Sequence, residues 1–166
     1  TAQELGFPVY TTGDTAVILQ QIKTADTFRF RDPERARVLF ESAFRQSKKM
    51  SFYNGIVYAL SRLGWIHLES GNYTTALSYY RQLLYYCIRI PEKRERLSYV
   101  YLDIGTVYTH MGYYDSAVLN YFHAITAHEQ YPPLIPVIGK IYHNLGDLLI
   151  RHKHYSKALH YLELAD

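Results

Sequence analysis

The stretch LGWIHLESGNYTTALSYY, residues 63–80, recurs twice more along the chain. The further copies are IGTVYTHMGYYDSAVLNY at residues 104–121 and LGDLLIRHKHYSKALHYL at residues 145–162, each displaced by 41 residues. Every copy opens with leucine or isoleucine followed by glycine, and a tyrosine and an alanine follow that glycine after nine and twelve residues. A fixed period of this kind predicts a repeat architecture, in which consecutive units stack and share a core.

Each copy predicts two helices separated by a tight turn. The apolar residues of 57–68 recur at helical spacing, Ser70–Asn72 provides a helix end and a new cap, and Pro91 ends the second helix. We predict the corresponding breaks at Met111–Gly112, at Tyr131–Pro133 and near Lys153. In the third copy, Lys153 occupies the position of the turn glycine.

A weaker unit precedes the three clear copies. Asp32 and Pro33 predict a helix cap followed by the first helical residue, and the residues after them match the second helix of the first clear copy at a spacing of 40. We therefore predict a lead-in over residues 1–13 and a single array over 14–166. The array divides into a degenerate unit 15–50, units 52–91 and 92–132, and a truncated unit 134–166.

The three glycines in register indicate a packing requirement, because glycine inside a helix costs about 1 kcal/mol relative to alanine. We expect Gly64, Gly105 and Gly146 to let the second helix of each pair approach closely, with the repeated alanines as their counterparts. None of these glycines stands in a phosphate-binding motif.

The pattern L-G-x-x-x-x-x-x-G-x-Y-x-x-A-x-x-x-Y-x-x-A resembles the tetratricopeptide repeat, over about residues 15–166 and most clearly from residue 57 onward. The resemblance implies an all-α, right-handed α-solenoid of stacked antiparallel helix pairs. The period exceeds the usual value of about 34 residues. The seven extra residues follow Leu83 and correspond to about two helical turns, expected as one turn on each helix.

Long units of this type look like those of kinesin light chains, cell-polarity scaffolds, bacterial peptide-responsive regulators and sensor segments of bacterial signalling proteins. The run Asp32–Ala36 before the first clear unit favours the last group.

The family resemblance implies that the first helix of each pair lines a concave groove for a protein or an extended peptide. Aromatic anchors mixed with charges of both signs suit such a ligand. The alternative interpretation is that this face is only the solvated side of the solenoid. The expected groove residues are Tyr58, Arg62, Trp65 and Glu69, then Tyr99, Leu102, Asp103, Thr106 and His110, and finally Lys140, His143, Asn144, Asp147 and Arg151.

A carboxylate clamp of the kind that grips chaperone C-termini is not expected. Its positions correspond to Ser61, Trp65, Asp103, Lys140 and Asn144, of which Lys140 alone fits the clamp pattern.

Composition disfavours several other classes of function. The 166 residues carry 18 Lys and Arg against 15 Asp and Glu, so the net charge of +3 does not predict a nucleic-acid partner. An RNA-stacking surface built from Phe28–Arg31 and Arg89–Arg96 is the remaining possibility of that kind. No apolar run is long enough for a membrane span, the single Cys87 allows no internal disulfide, and the histidine pairs lack metal-ligand spacing.

We therefore expect a non-catalytic protein- or peptide-binding module without cofactor or metal. Its expected role is the sensing or partner-recognition segment of a larger bacterial signalling or regulatory protein, either periplasmic on a membrane-anchored sensor or cytoplasmic. The alternative is a structural scaffold or oligomerisation segment that self-associates through its open C-terminal unit.

Overall fold

The computed structural model of the chain describes residues 12–165, and these residues form eight α-helices and one 3₁₀ helix without any strand. The predicted all-α class is confirmed. The predicted lead-in lies outside the described residues, apart from the start of the first helix. The elements are α1 (Thr12–Phe28), α2 (Pro33–Lys49), α3 (Tyr53–Glu69), α4 (Tyr73–Arg89), the 3₁₀ helix (Pro91–Arg96), α5 (Leu97–Met111), α6 (Tyr114–Gln130), α7 (Ile138–Arg151) and α8 (Tyr155–Glu163).

The chain divides into two compact units, with the boundary between Asn72 and Tyr73. In the first unit, α2 packs against both α1 and α3. In the second unit, α5 packs against α4 and α6, and α7 packs against α6 and α8. Each helix thus contacts mainly its neighbours along the chain, as stacked helix pairs require. The repeat boundaries proposed from the sequence stay predictions.

The turns inside the repeats have the predicted positions and share one geometry. Gly71, Gly112 and Lys153 follow the ends of α3, α5 and α7 with φ of +71°, +76° and +63°. In all three turns the next residue donates its N–H to the carbonyl five residues earlier, at 2.8 or 2.9 Å. This is the Schellman type of helix end, which favours glycine because only glycine enters the left-handed region without steric cost.

The start of α2 also matches its prediction. The Asp32 carboxylate accepts a hydrogen bond of 3.0 Å from the backbone N–H of Arg35, and Pro33 is the first helical residue. The carboxylate satisfies one of the free N–H groups at the helix start. Its negative charge also interacts favourably with the positive end of the helix dipole.

The extra length of each unit is only partly helical. The expected additional turn at the end of the second helix is present, since α4 continues to Arg89. The expected additional turn on the following first helix is wrong, because Pro91–Arg96 forms the 3₁₀ helix before α5, and residues 131–137 before α7 form no helix. Before α7, the prolines at 132, 133 and 136 lack the backbone N–H that a continuous α-helix needs, whereas Pro91 only begins the 3₁₀ helix and does not explain why the residues after it are not α-helical.

The close approach predicted at the repeated glycines is confirmed for two pairs of the second unit. A Cβ placed on Gly105 would lie 2.6 Å from Cε1 of Tyr121, and one on Gly146 would lie 2.6 Å from Cγ of Leu162. The nearest counterparts are therefore Tyr121 and Leu162 rather than the repeated alanines, because these longer side chains extend across the glycine. Ala158 comes next, with its carbonyl oxygen 3.4 Å from the position at Gly146.

Gly105→Ala tests this packing. Helix propensity alone predicts a gain of about 1 kcal/mol for the substitution. Overpacking against a fully buried tyrosine ring costs about 1–3 kcal/mol, and we expect the upper part of that range because the ring has no room to move. Urea denaturation should show a net loss of stability, whereas Ser156→Ala at an exposed position of α8 should change little. A gain in stability for Gly105→Ala would contradict the packing account.

Candidate binding surfaces

The first unit places Tyr58 and Arg62 of α3 against Asp26 near the end of α1. The hydroxyl of Tyr58 donates to Oδ2 of Asp26 at 2.5 Å, and Nη2 of Arg62 donates to the hydroxyl of Tyr58 at 3.0 Å. Nε of Arg62 lies 3.2 Å from Oδ1 of Asp26, and its guanidinium lies 4.7 Å from the centre of the Tyr58 ring. Charge, hydrogen bonds and ring contact therefore fix these three side chains together.

The neighbouring Arg29 holds two aromatic rings beside this ion pair. Its guanidinium lies 4.5 Å from the ring centre of Phe30 and 4.8 Å from that of Trp65, and the two rings meet edge to face at 5.5 Å. Cation–π and edge-to-face contacts each stabilise such an arrangement. Phe30 nevertheless remains 74% exposed. We call Asp26, Arg29, Phe30, Tyr58, Arg62 and Trp65 the α1–α3 cluster.

Half of the α1–α3 cluster belongs to the predicted groove, and half was missed. Tyr58, Arg62 and Trp65 were predicted, and the structure brings them together. Asp26, Arg29 and Phe30 were missed because they lie within the degenerate unit, around the junction of its two helices, where the repeat pattern gives no position for each residue. The Phe28–Arg31 run was the available signal, although it was considered only as an RNA-stacking surface. Glu69, also predicted, is exposed at the last residue of α3.

In the second unit, Leu102 does not lie on an open surface, and its assignment to the groove is wrong. Only 2% of the residue is exposed, because it packs in the apolar core with Ile141 and Leu145 of α7. Two other predicted residues of α5 have contacts inside the chain. The hydroxyl of Tyr99 donates to the carbonyl of Ile135 at 2.5 Å, and the exposed His110 stacks on Tyr73 at 5.5 Å.

A polar contact joins the predicted faces of α5 and α7. Nδ2 of Asn144 donates to Oγ1 of Thr106 at 3.4 Å, and close by Oγ1 of Thr109 shares a hydrogen bond of 2.9 Å with the hydroxyl of Tyr121. Burial raises the pKa of Tyr121, since an ionised phenol would lose its solvation there. Tyr121 is therefore neutral at physiological pH, and its hydroxyl is used in the hydrogen bond with Thr109.

The remaining predicted residues of the second unit are more open. Asp103 is partly buried, whereas Lys140, His143, Asp147 and Arg151 are exposed along α7. Nε2 of His143 lies 3.5 Å from Oδ2 of Asp147, one helical turn away. Exposed pairs of this kind contribute little to stability, so this face is a mixed, solvated surface.

Three features bear on other classes of site. Cys87 is completely buried, and burial raises the pKa of its thiol to about 11, so the reactive thiolate is scarce at neutral pH. Among residues 12–165, no three histidine, cysteine, aspartate or glutamate side chains come together as metal ligands. No helix of that part of the chain is long and apolar enough to cross a membrane.

The comparisons with known proteins agree with this architecture. Residues 59–95, from α3 to the 3₁₀ helix, match the family model described as tetratricopeptide repeat. No sequence among the curated proteins matches the chain. The chain thus contains a tetratricopeptide repeat, and the resemblance drawn from its sequence is confirmed.

Solved structures show the same fold at low sequence identity. BtubC (BKLC) from P. vanneervenii superposes with a TM-score of 0.80 at 16% identity, over 95% of this chain and 65% of that one. The tetratricopeptide domain of Arabidopsis FLU gives 0.65 at 24% identity, over 70% of this chain and 98% of that domain. MamA gives 0.53 at 14% identity, over 95% and 94%.

These likenesses confirm the solenoid type of fold and carry no further assignment. The chain spans less than two thirds of the length of BtubC. The long-unit type and the right-handed superhelix stay predictions.

Proposed function

We propose that the chain is a non-catalytic module that binds a protein or an extended peptide, with the α1–α3 cluster as its principal contact. Tetratricopeptide folds generally serve protein interaction, which makes this class the natural one for the fold. The observation that carries the proposal is the exposed Phe30 ring fixed against Trp65 by Arg29.

Two physical arguments support a binding role for this cluster. Trp and Arg dominate the energetically important positions of protein interfaces, because they combine large apolar area with directed polar contacts. The side chains are also already ordered by their mutual contacts and by Asp26, so a ligand pays little conformational entropy to use them.

In the same proposal, the module is the sensing or partner-recognition segment of a signalling or regulatory protein. A module that only binds a ligand affects function through the domains to which it is attached. The sequence of this module shows no catalytic motif of its own. The bacterial assignment rests on the resemblance of the long units alone.

A selection of random dodecapeptides displayed on phage tests the binding role without a known partner. We expect peptides that are enriched on the immobilised chain over a blank surface. Trp65→Ala should weaken the best of them by at least about tenfold, the scale of an interface hot spot, when affinity is measured by fluorescence anisotropy of the labelled peptide.

Tyr85→Ala provides the matched control, because Tyr85 is a half-exposed aromatic residue on α4 and lies outside the cluster. Its affinity for the same peptide should stay within about twofold of the unsubstituted chain. Lack of enrichment, or equal losses for both variants, would contradict the proposed site.

A scaffold role is the second candidate, and the face of α8 favours it. Tyr155 and Leu159 are 63% and 59% exposed. Their counterparts one repeat earlier, Tyr114 and Val118, pack against the core of the second unit. In addition, the ring of Tyr114 contacts that of His152 in a tilted arrangement, with ring centres 3.9 Å apart. The α8 face therefore has the chemistry of a repeat-to-repeat interface without a helix covering it among the described residues.

Sedimentation velocity over a range of protein concentrations tests this second candidate. Self-association through α8 predicts a concentration-dependent increase in mass that Leu159→Asp removes, since burying a carboxylate in an apolar contact is costly. Val38→Asp, at a half-exposed position of α2, should leave the association intact. A monomer at every concentration would exclude self-association.

A further inference from the structure

The α1–α3 cluster holds more positive than negative charge. Asp26 is its single carboxylate, and both arginines lie around that group, with Nη1 of Arg29 at 4.0 Å and Nε of Arg62 at 3.2 Å from Oδ1. The side chains of Arg29 and Arg62 are only 22% and 30% accessible. Charges with so little water around them interact more strongly with a nearby ion than fully solvated ones do.

The hydrogen-bonding capacity of the two arginines is also underused. Nε of Arg29 and Nε of Arg62 are shielded from solvent, and neither donates a hydrogen bond. The short approach of Arg62 to Asp26 is therefore an ion pair without good hydrogen-bond alignment. Oδ1 of Asp26 likewise accepts none, because its other oxygen holds the cluster through Tyr58. The two Nε groups are closed to solvent, so a further acceptor can reach only the Nη groups of the two guanidinium groups.

Among residues 12–165, the nearby carboxylates of α2 and its cap do not supply that acceptor. On α2, the carboxylates of Glu34 and Glu41 are both bonded to Arg37. The Asp32 carboxylate caps α2. The side chain of Arg31 adds a further exposed positive charge directly after Phe30. Glu69, exposed one helical turn after Trp65, offsets part of this charge, and Arg29, Arg31 and Arg62 against Asp26 and Glu69 still leave an excess of one positive charge, which favours a negatively charged ligand group.

We propose that the α1–α3 cluster selects a peptide in which an acidic side chain adjoins an aromatic or large apolar residue. The inference rests on the proposed function and names the chemistry of its ligand. The ligand carboxylate pairs with the free donors of Arg29 and Arg62, where a planar guanidinium can hold both of its oxygens. The adjoining apolar residue packs on the exposed face of Phe30.

This arrangement differs from the carboxylate clamp considered above. The clamp positions include Ser61 and Trp65 on α3, whereas the charged groups of the cluster are Arg62 on α3, Asp26 on α1 and Arg29 in the turn after α1. The recognised group is a side chain within an extended segment, since the cluster offers aromatic surface beside the arginines.

The sequences of the phage-selected dodecapeptides separate this inference from the proposed function. We expect Asp or Glu at a fixed distance from an aromatic or large aliphatic residue. Peptides that bind and depend on Trp65, yet show no acidic preference, would overturn the inference and leave the binding role standing. A selection without any enrichment would overturn both.

Variants of the chain test the pairing directly. Changing the acidic residue of a selected peptide to its amide should weaken binding to the unsubstituted chain about tenfold, and binding to Arg62→Gln much less. Arg45→Gln, at an exposed arginine of α2, should behave as the unsubstituted chain does. Equal losses in all three proteins would show that the arginine does not meet the ligand carboxylate.

Asp26→Asn tests the inference through an expected gain in peptide affinity instead of a loss. The amide oxygen of the asparagine can still accept the hydrogen bond from Tyr58 that orders the cluster, whereas the competing charge is lost, so binding of the acidic peptide should tighten about threefold or more, and this gain should fall as salt is added. Thermal melting confirms that the variant is folded. Weaker binding by a folded Asp26→Asn would overturn the proposal, because a purely structural cluster would lose affinity when its central carboxylate is removed.

A peptide with phosphoserine at the acidic position distinguishes carboxylate selection from general oxyanion binding, and tighter binding of the phosphopeptide would contradict the carboxylate assignment.

Discussion

The contact between a glycine backbone and a large side chain is the constraint on which the paired helices depend. At Gly105 the ring of Tyr121 occupies the space that any Cβ would need, and at Gly146 Leu162 does the same. A large side chain of the second helix can therefore lie directly on the backbone of the first, and Ala117 and Ala158 of the second helices are buried in the same core. A larger residue at the glycine would separate the helices and leave a void in a core that is otherwise close-packed.

The close pairing determines which surfaces are left for binding. The second helix of each pair uses its apolar face against both its partner and the next first helix, as α6 does between α5 and α7. The first helices keep one face outside this packing, and in the first unit that face carries Tyr58, Arg62 and Trp65. The end of α1 completes the surface with Asp26, Arg29 and Phe30, and the contacts among the six side chains hold an exposed aromatic ring in one place.

The sequence was sufficient for the fold because the fold depends on local signals. The turn glycines, the cap at Asp32 and the break at Pro91 each act within a few residues, and all are found where predicted. The exception is the connection between units, where the period gives the number of extra residues but not their conformation. Pro91 begins a 3₁₀ helix there, instead of a further α-helical turn.

The candidate site was predictable only in part, because it depends on contacts between helices. The position of each residue within the repeat placed Tyr58, Arg62 and Trp65 on one helix face. That position gives the direction of a side chain only to within part of a helical turn, and Leu102 consequently proved to be a core residue. Arg29 and Phe30 lie in the turn after α1, where periodicity gives no guidance. Their role follows only from the position of Trp65, 35 residues later in the sequence.

The fluorescence of Trp65 tests the central claim most directly, because Trp65 is the single tryptophan of the chain. Saturation with a selected peptide should shift its emission to shorter wavelength and protect it from quenching by acrylamide, since a ligand packed on Phe30 excludes water from the adjoining indole. A peptide that binds with high affinity while the emission and the quenching of Trp65 stay unchanged would show that the α1–α3 cluster is not the binding site.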